Sequence, residues 1–271
     1  MYANLPFALI VALSAGPAAG YLGSIMVSKH MALVGDALSH VALPGLALGL
    51  IFDFNPFIGA FAFVATAMIV TWYVERTSVL AVEAIIGVLF VLALAIGVLI
   101  TPEPDLLEAL FGDVSTVTSF DALLTLVLSV FVILVTKAIY RRMMLTMISK
   151  EIAVSSGINV ARVNLIFLLL VAVVVSVGIK EVGTLLVGAV VIVPAAAARN
   201  VSTSLKVYSI LSALIGGISA FSGVMLSQFL NVPAGPLVVI VGTIVFAVLF
   251  FYYRLTMKGK RGSGEKVTGT T

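Results

Sequence analysis

The chain has no cysteine, which excludes disulfides, thiolate metal sites and thiol catalysis. It has two histidines, His30 and His40, so any imidazole chemistry uses one or both. Charge is also scarce: 10% of the 271 residues are charged, against about a quarter in a soluble domain. With 62% hydrophobic residues and a mean hydropathy of +1.26, the chain has too little polar surface for water. Its solvent is lipid. There is no G-x-x-x-x-G-K-[ST] phosphate loop, so the chain is not expected to hydrolyse ATP by itself. Nothing in it points to nucleic acid.

A spanning helix needs about 20 mostly apolar residues. On that measure the sequence predicts an all-α polytopic membrane protein with nine spans: 6–28, 31–52, 56–74, 80–101, 119–139, 162–179, 182–199, 205–228 and 235–254. Only "KEVG" separates the sixth from the seventh, and the count falls to eight if these form one broken hairpin. The start lacks a basic n-region and its apolar run is long enough to span, so it reads as an uncleaved first helix. Residues 1–254 read as one transmembrane domain. Residues 255–271, polar and glycine-rich, read as a disordered cytoplasmic tail.

Loop charge orients the spans. With the N-terminus outside and the C-terminus in the cytoplasm, every one of the 15 basic residues except Lys180 lies inside, as the positive-inside rule requires. The outer connections are acidic instead: Asp53, then Glu103, Asp105, Glu108 and Asp113, then Asp121 and Glu181. An acidic outer face would concentrate cations, although plain topology bias accounts for it equally well.

Well inside the spans stand two acidic residues, Asp36 and Glu83. Glu83 follows Arg76 by seven residues, a position that suits an interfacial ion pair or a hydrated carboxylate as well as a place on a transport route. Asp36 is the more telling. In "LVGDALSHVALPG" it is followed by Ser39 and His40 at i+3 and i+4, a polar stripe in an apolar helix. A carboxylate there costs roughly 2.5–3.5 kcal/mol on insertion scales. Carboxylate and imidazole suit Mn²⁺, Zn²⁺ or Fe²⁺; a structural Asp–His hydrogen bond is the competing reading. Pro44 has no N–H, so the His40 carbonyl loses its helical partner and the helix kinks. Two donors per chain are too few for tight binding. A homodimer would double them, which suits transient coordination.

The connection of about 140–162 contains "SKEIAVSSGINVARV". Ser149 can cap a short helix, with Glu151 in its first turn and Gly157 ending it. A short helix on the cytoplasmic face is more often a docking element than a catalytic one.

Three stretches resemble one family, the permease subunits of bacterial ATP-binding-cassette importers of manganese, zinc and iron: "MALVGDALSHVALPGLALG" from Met31, "VGTLLVGAVVIVPAAAAR" from Val182 and "VPAGPLVVIVG" from Val232. Their order and spacing agree along essentially the whole chain. The resemblance implies a bundle like that of the larger vitamin B12-type (type II) importers in the bacterial cytoplasmic membrane. It also implies a second copy of the chain or a paralogue, cytoplasmic ATPase subunits that bind the ATP, and an extracytoplasmic metal-binding protein. Glu151, Ala153 and Gly157 resemble the E-A-A-x-x-x-G coupling loop, with Ile152 departing at its second position. It further implies that Asp36 and His40, with Ser39 beside them, line the metal pathway. The chain is then a transport subunit without a cofactor of its own.

Two other readings compete. An intramembrane aspartyl protease needs paired carboxylates, and Leu33 stands where its motif carries glycine. A stand-alone ion-coupled transporter should show polar, broken helices in both halves, whereas here the polar pair occurs only in the first.

Overall fold

The computed structural model describes residues 5–100 and 117–264, with side chains as far as Leu255. The acidic stretch around Glu103, Asp105, Glu108 and Asp113 lies outside these residues. So do the side chains of Lys180 and Glu181 and the last part of the expected tail, 265–271. The described residues are helical and contain no strand. In order they form α1 (Leu5–Ser28), α2 (Val34–Val41), α3 (Leu43–Ile51), α4 (Pro56–Thr77), α5 (Val82–Ile100), α6 (Ser119–Ile148), α7 (Lys150–Ser155), α8 (Val160–Val182), α9 (Val187–Val201), α10 (Leu205–Leu230) and α11 (Ala234–Gly264).

Local chemistry sets many of the starts. Asn55, Thr118, Ser149, Asn159 and Ser204 each cap a helix by accepting a hydrogen bond from a backbone N–H of its first turn. By contrast, α2 and α9 begin without a side-chain cap.

Eight of these units are long and apolar enough to cross a membrane, with α2 and α3 forming one span, Val34–Ile51. The seventh expected span is shorter than the sequence suggested. Gly183 turns at φ 77° and ends α8, its N–H bonded to the Ile179 carbonyl at 2.8 Å. The chain then uses Thr184 to Leu186 to turn, leaving 15 residues for α9. At 1.5 Å per residue that is about 22 Å, short of the roughly 30 Å hydrocarbon core. The last helix continues beyond the expected end at 254, through Gly264.

Burial sorts the helices. From Leu170 to Ile179 every residue of α8 is buried, so this all-round apolar helix is the axis of the bundle. Most of α5 and α11 faces outward. The most extensive pairing is α1 with α10. There Gly16 and Gly20 meet Gly216 and Ser212 backbone to backbone. The Ser212 hydroxyl donates to the Gly20 carbonyl at 2.5 Å, and that of Ser24 to the Ser209 hydroxyl at 2.8 Å. Small residues four apart are the usual means of close approach in lipid.

A methyl group at Gly20 would collide with the Ser212 carbonyl, whereas one at Gly87 of α5 would meet nothing within 4 Å. Gly20→Ala is therefore expected to lower stability by about 1–3 kcal/mol, the usual cost of overpacking. Gly87→Ala should be neutral or slightly stabilising. Thermal unfolding of the detergent-solubilised variants checks both.

Candidate functional site

The second span breaks where its proline predicts. Pro44 offers no N–H to the His40 carbonyl, α2 ends at Val41, and α3 restarts at Leu43. Ala42 between them keeps helical angles, φ −71° and ψ −23°, so the junction is a kink rather than a turn. Irregular backbone at membrane depth is tolerated where it is buried or lines a cavity.

On α2, Asp36 is exposed beside Leu33, itself 77% exposed, and His40 is half-buried. The His40 ring is tilted 58° against Phe90 at 5.5 Å, and its buried Nδ1 has no hydrogen-bond partner. No hydrogen bond joins it to Asp36, so the two do not form the structural pair that the sequence left open. Ser39 departs from the expected stripe. It is fully buried, and its hydroxyl donates to the Asp36 backbone carbonyl at 2.7 Å. The reason is angular: at about 100° per residue, His40 lies some 40° to one side of Asp36 and Ser39 some 60° to the other. The open face therefore carries Leu33, Asp36 and His40.

What holds Asp36 there is a residue the sequence reading passed over. Gly188, in the first turn of α9, lies directly against the Asp36 backbone and Cβ. Gly35 faces the same helix, near the Gly188 Cα and Val191. The uncapped start of α9 is the positive end of its dipole, which favours an anionic neighbour. The one signal in the sequence is a glycine shortly after the "KEVG" break, inside the stretch from Val182 that resembles the permease family.

Glu83 is exposed in the first turn of α5. It lines a cavity of about 770 Å³ at the basic end of the bundle, together with Lys29, Glu75, Arg76, Lys150 and Asn164. The expected Glu83–Arg76 ion pair is not formed; the Arg76 guanidinium lies over the Trp72 ring, 4.8 Å from its centroid. A spacing of seven aligns side chains only on one continuous helix, and the chain leaves the helix between Thr77 and Val82. Among the described residues no group of three or more His, Asp or Glu is placed to hold a metal ion.

The segment around Glu151 folds as its sequence suggests. The Ser149 hydroxyl donates to the Glu151 carboxylate at 2.6 Å and accepts from the Ile152 N–H at 3.2 Å. These contacts, led by the Ser149 hydroxyl, hold the Glu151 carboxyl below the usual range. The helix ends in a Schellman motif: Ile158 N–H bonds to the Ala153 carbonyl, Gly157 N–H bonds to that of Val154, and Gly157 sits at φ 76°. Ala153 is fully buried, while Ile148, Ile152 and Val154 are 76, 53 and 63% exposed.

Residues 1–253 match the family described as the ABC 3 transport family. The chain is 33% identical over 257 residues to the manganese import system permease protein ScaB of Streptococcus parasanguinis, covering 93% of this chain and 92% of that one. It is 28% identical over 255 residues to the high-affinity zinc uptake system membrane protein ZnuB of Buchnera aphidicola, covering 92% and 97%. Among solved structures it is similar to PsaBC from Streptococcus pneumoniae in complex with Fab, with a TM-score of 0.81, 30% identity and 92% of each chain covered. The described residues form eight candidate spans and one shorter apolar helix, relatives match over nearly the whole length, and the chain belongs to the ABC 3 transport family as a multi-pass membrane permease subunit.

Proposed function

We propose that this chain, as a homodimer, forms the translocation pathway of an ATP-driven importer of a divalent transition metal, with Asp36 and His40 as transient ligands. The observation that carries the reading is an aspartate and a histidine one turn apart on the open face of a kinked membrane helix, not bonded to each other. Two donors per chain bind weakly. Two copies facing each other supply four, a number compatible with an ion that must enter and leave. Relatives named for manganese and for zinc support this cargo class. Such oxygen and nitrogen donors favour zinc by intrinsic affinity, so selection of the cargo rests on geometry and on the protein that delivers it. Ser39 acts from behind, by tying its hydroxyl to the Asp36 carbonyl. Glu83, at the basic end, is a station on the inner side of the route.

The basic residues argue for an outer N-terminus, an inner C-terminus and a bacterial cytoplasmic membrane. On that orientation α7 faces the cytoplasm. Its exposed Glu151, Ile152 and Val154 offer a docking surface for an ATPase subunit, and a metal-binding protein delivers the ion at the opposite face. ATP is hydrolysed on the partner.

Asp36→Ala should abolish metal-dependent growth rescue and uptake of Mn²⁺, Zn²⁺ or Fe²⁺ in a strain lacking the chain, at an unchanged membrane level. Uptake equal to wild type would remove the ligand assignment. In the same assay Gly188→Ala, which pushes α9 away from Asp36, should lower uptake about tenfold while the protein stays inserted. Gly157→Ala places a methyl in the left-handed region, at about 1–2 kcal/mol. It should weaken co-purification of the ATPase and its stimulation by metal; full stimulation would argue against docking at α7.

A further inference from the structure

A polar chain of contacts crosses the basic end of the bundle. The Lys29 amine donates to the Asn164 side-chain oxygen at 2.8 Å, and the Asn164 amide nitrogen donates to the Glu75 carboxylate at 2.5 Å. One turn earlier on α8, the Ala161 carbonyl accepts from the Trp72 indole N–H at 2.8 Å. One turn later, the Phe167 ring sits under the Lys29 amine, 4.5 Å from it. The start of α8 is thereby fastened both to the turn after α1 and to the end of α4.

The two ends of this chain matter for their position. Asn164 stands in the second turn of α8, a helix that begins five residues after α7 ends. Lys29 opens the turn that leads into α2, where His30 adopts φ 63° and Met31 N–H bonds back to the Met26 carbonyl at 2.9 Å. Asp36 is the third residue of that helix. Burial pulls the Lys29 amine down to about 8, against the pull of Glu75, so at pH 7 it is still mainly charged. Asn164 is well suited to the middle of such a chain. Its amide presents an acceptor to the cation and a donor to the carboxylate, so both contacts depend on one planar group. Beside it lies the cavity of about 770 Å³, bordered by Thr146 and Lys150 on one side and by Ser78 to Glu83 on the other. Packed interiors move between discrete arrangements rather than deform. A void here leaves the segment that includes α7 room to shift as a body.

We propose that the start of α8, through Asn164 bonded to Lys29 and Glu75 and through the Ala161 carbonyl bonded to Trp72, transmits movement of the α7 segment to the turn that sets the position of Asp36. Asn164 is a positioning residue: it touches neither cargo nor ATPase. The proposal rests on the reading of α7 as the ATPase-docking helix. In it, closure of the ATPase shifts the start of α8, Asn164 carries the shift to Lys29, and α2 moves relative to α9. Coupling between sites travels through contiguous contacts of this kind.

The test uses the full permease–ATPase complex, reconstituted in proteoliposomes with its metal-delivery protein and Mn²⁺. Asn164→Leu is expected to keep the ATPase bound and to hold basal hydrolysis within twofold of wild type. Stimulation by loaded delivery protein, and Mn²⁺ uptake per ATP hydrolysed, should each fall at least fivefold. Asn164→Gln, which keeps both amide functions, should restore part of the coupling. Trp72→Phe removes one indole N–H and nothing polar besides, and should reduce stimulation two- to threefold at an unchanged melting temperature. Unchanged stimulation in both Asn164→Leu and Trp72→Phe overturns the proposal. So does loss of stimulation that merely tracks loss of ATPase binding or of thermal stability. Failure of the wild-type chain to bind any ATPase instead overturns the docking reading beneath it.

Discussion

Lipid tails are as apolar as leucine, so no hydrophobic gain draws one spanning helix onto another. This bundle must be held by close backbone contact, and glycine supplies it at several of the main crossings. Gly16 and Gly20 admit α10 to α1, Gly45 and Gly59 bring α3 onto α4, and Gly23 admits α9 to α1. Hydroxyls add short hydrogen bonds where backbones already touch, as between Ser212 and Gly20. The same constraint shapes the site, because the contact that sets Asp36 is again glycine against backbone, at Gly188.

That contact also bears on why a carboxylate is tolerated. A charge at the centre of a spanning helix costs roughly 2.5–3.5 kcal/mol on insertion scales, and Asp36, the third residue of the Val34–Ile51 span, lies near its end, where the cost is smaller. The positive end of a helix returns typically 0.3–1 kcal/mol, and about 2 at most in partly buried settings. The start of α9 lies against the backbone and Cβ of Asp36. The open face around Leu33, Asp36 and His40 is the surface that, in the proposed dimer, a second copy covers and the ion crosses.

Much of this was legible in the sequence because it is local. The kink at Pro44, the Ser149 cap, the Gly157 ending and most of the spans depend on residues within one or two turns of each other. What was hidden depends on chain segments far apart. The Lys29–Asn164–Glu75 chain joins positions 135 and 89 residues distant, and no periodicity marks it. The shortness of α9 came from the residues Gly183 to Leu186 needed to turn. Ser39 was misplaced because i+3 and i+4 lie on opposite sides of residue i, and only packing shows which side is open. Arg76 and Glu83 were paired on a spacing that the end of α4 at Thr77 cancels. Gly188 was present in a recognised block, but a glycine in a helix says nothing of its neighbour until the neighbour is placed.

The central claim is that the ion meets His40 beside Asp36. With no cysteine and only two histidines in the chain, nitrogen coordination can be assigned cleanly. Pulsed electron paramagnetic resonance of Mn²⁺ bound to the permease in nanodiscs reads imidazole nitrogen directly. The account predicts a ¹⁴N modulation in the wild-type chain that persists in His30→Gln and disappears in His40→Gln. A modulation that survives His40→Gln, or one lost in His30→Gln, contradicts it.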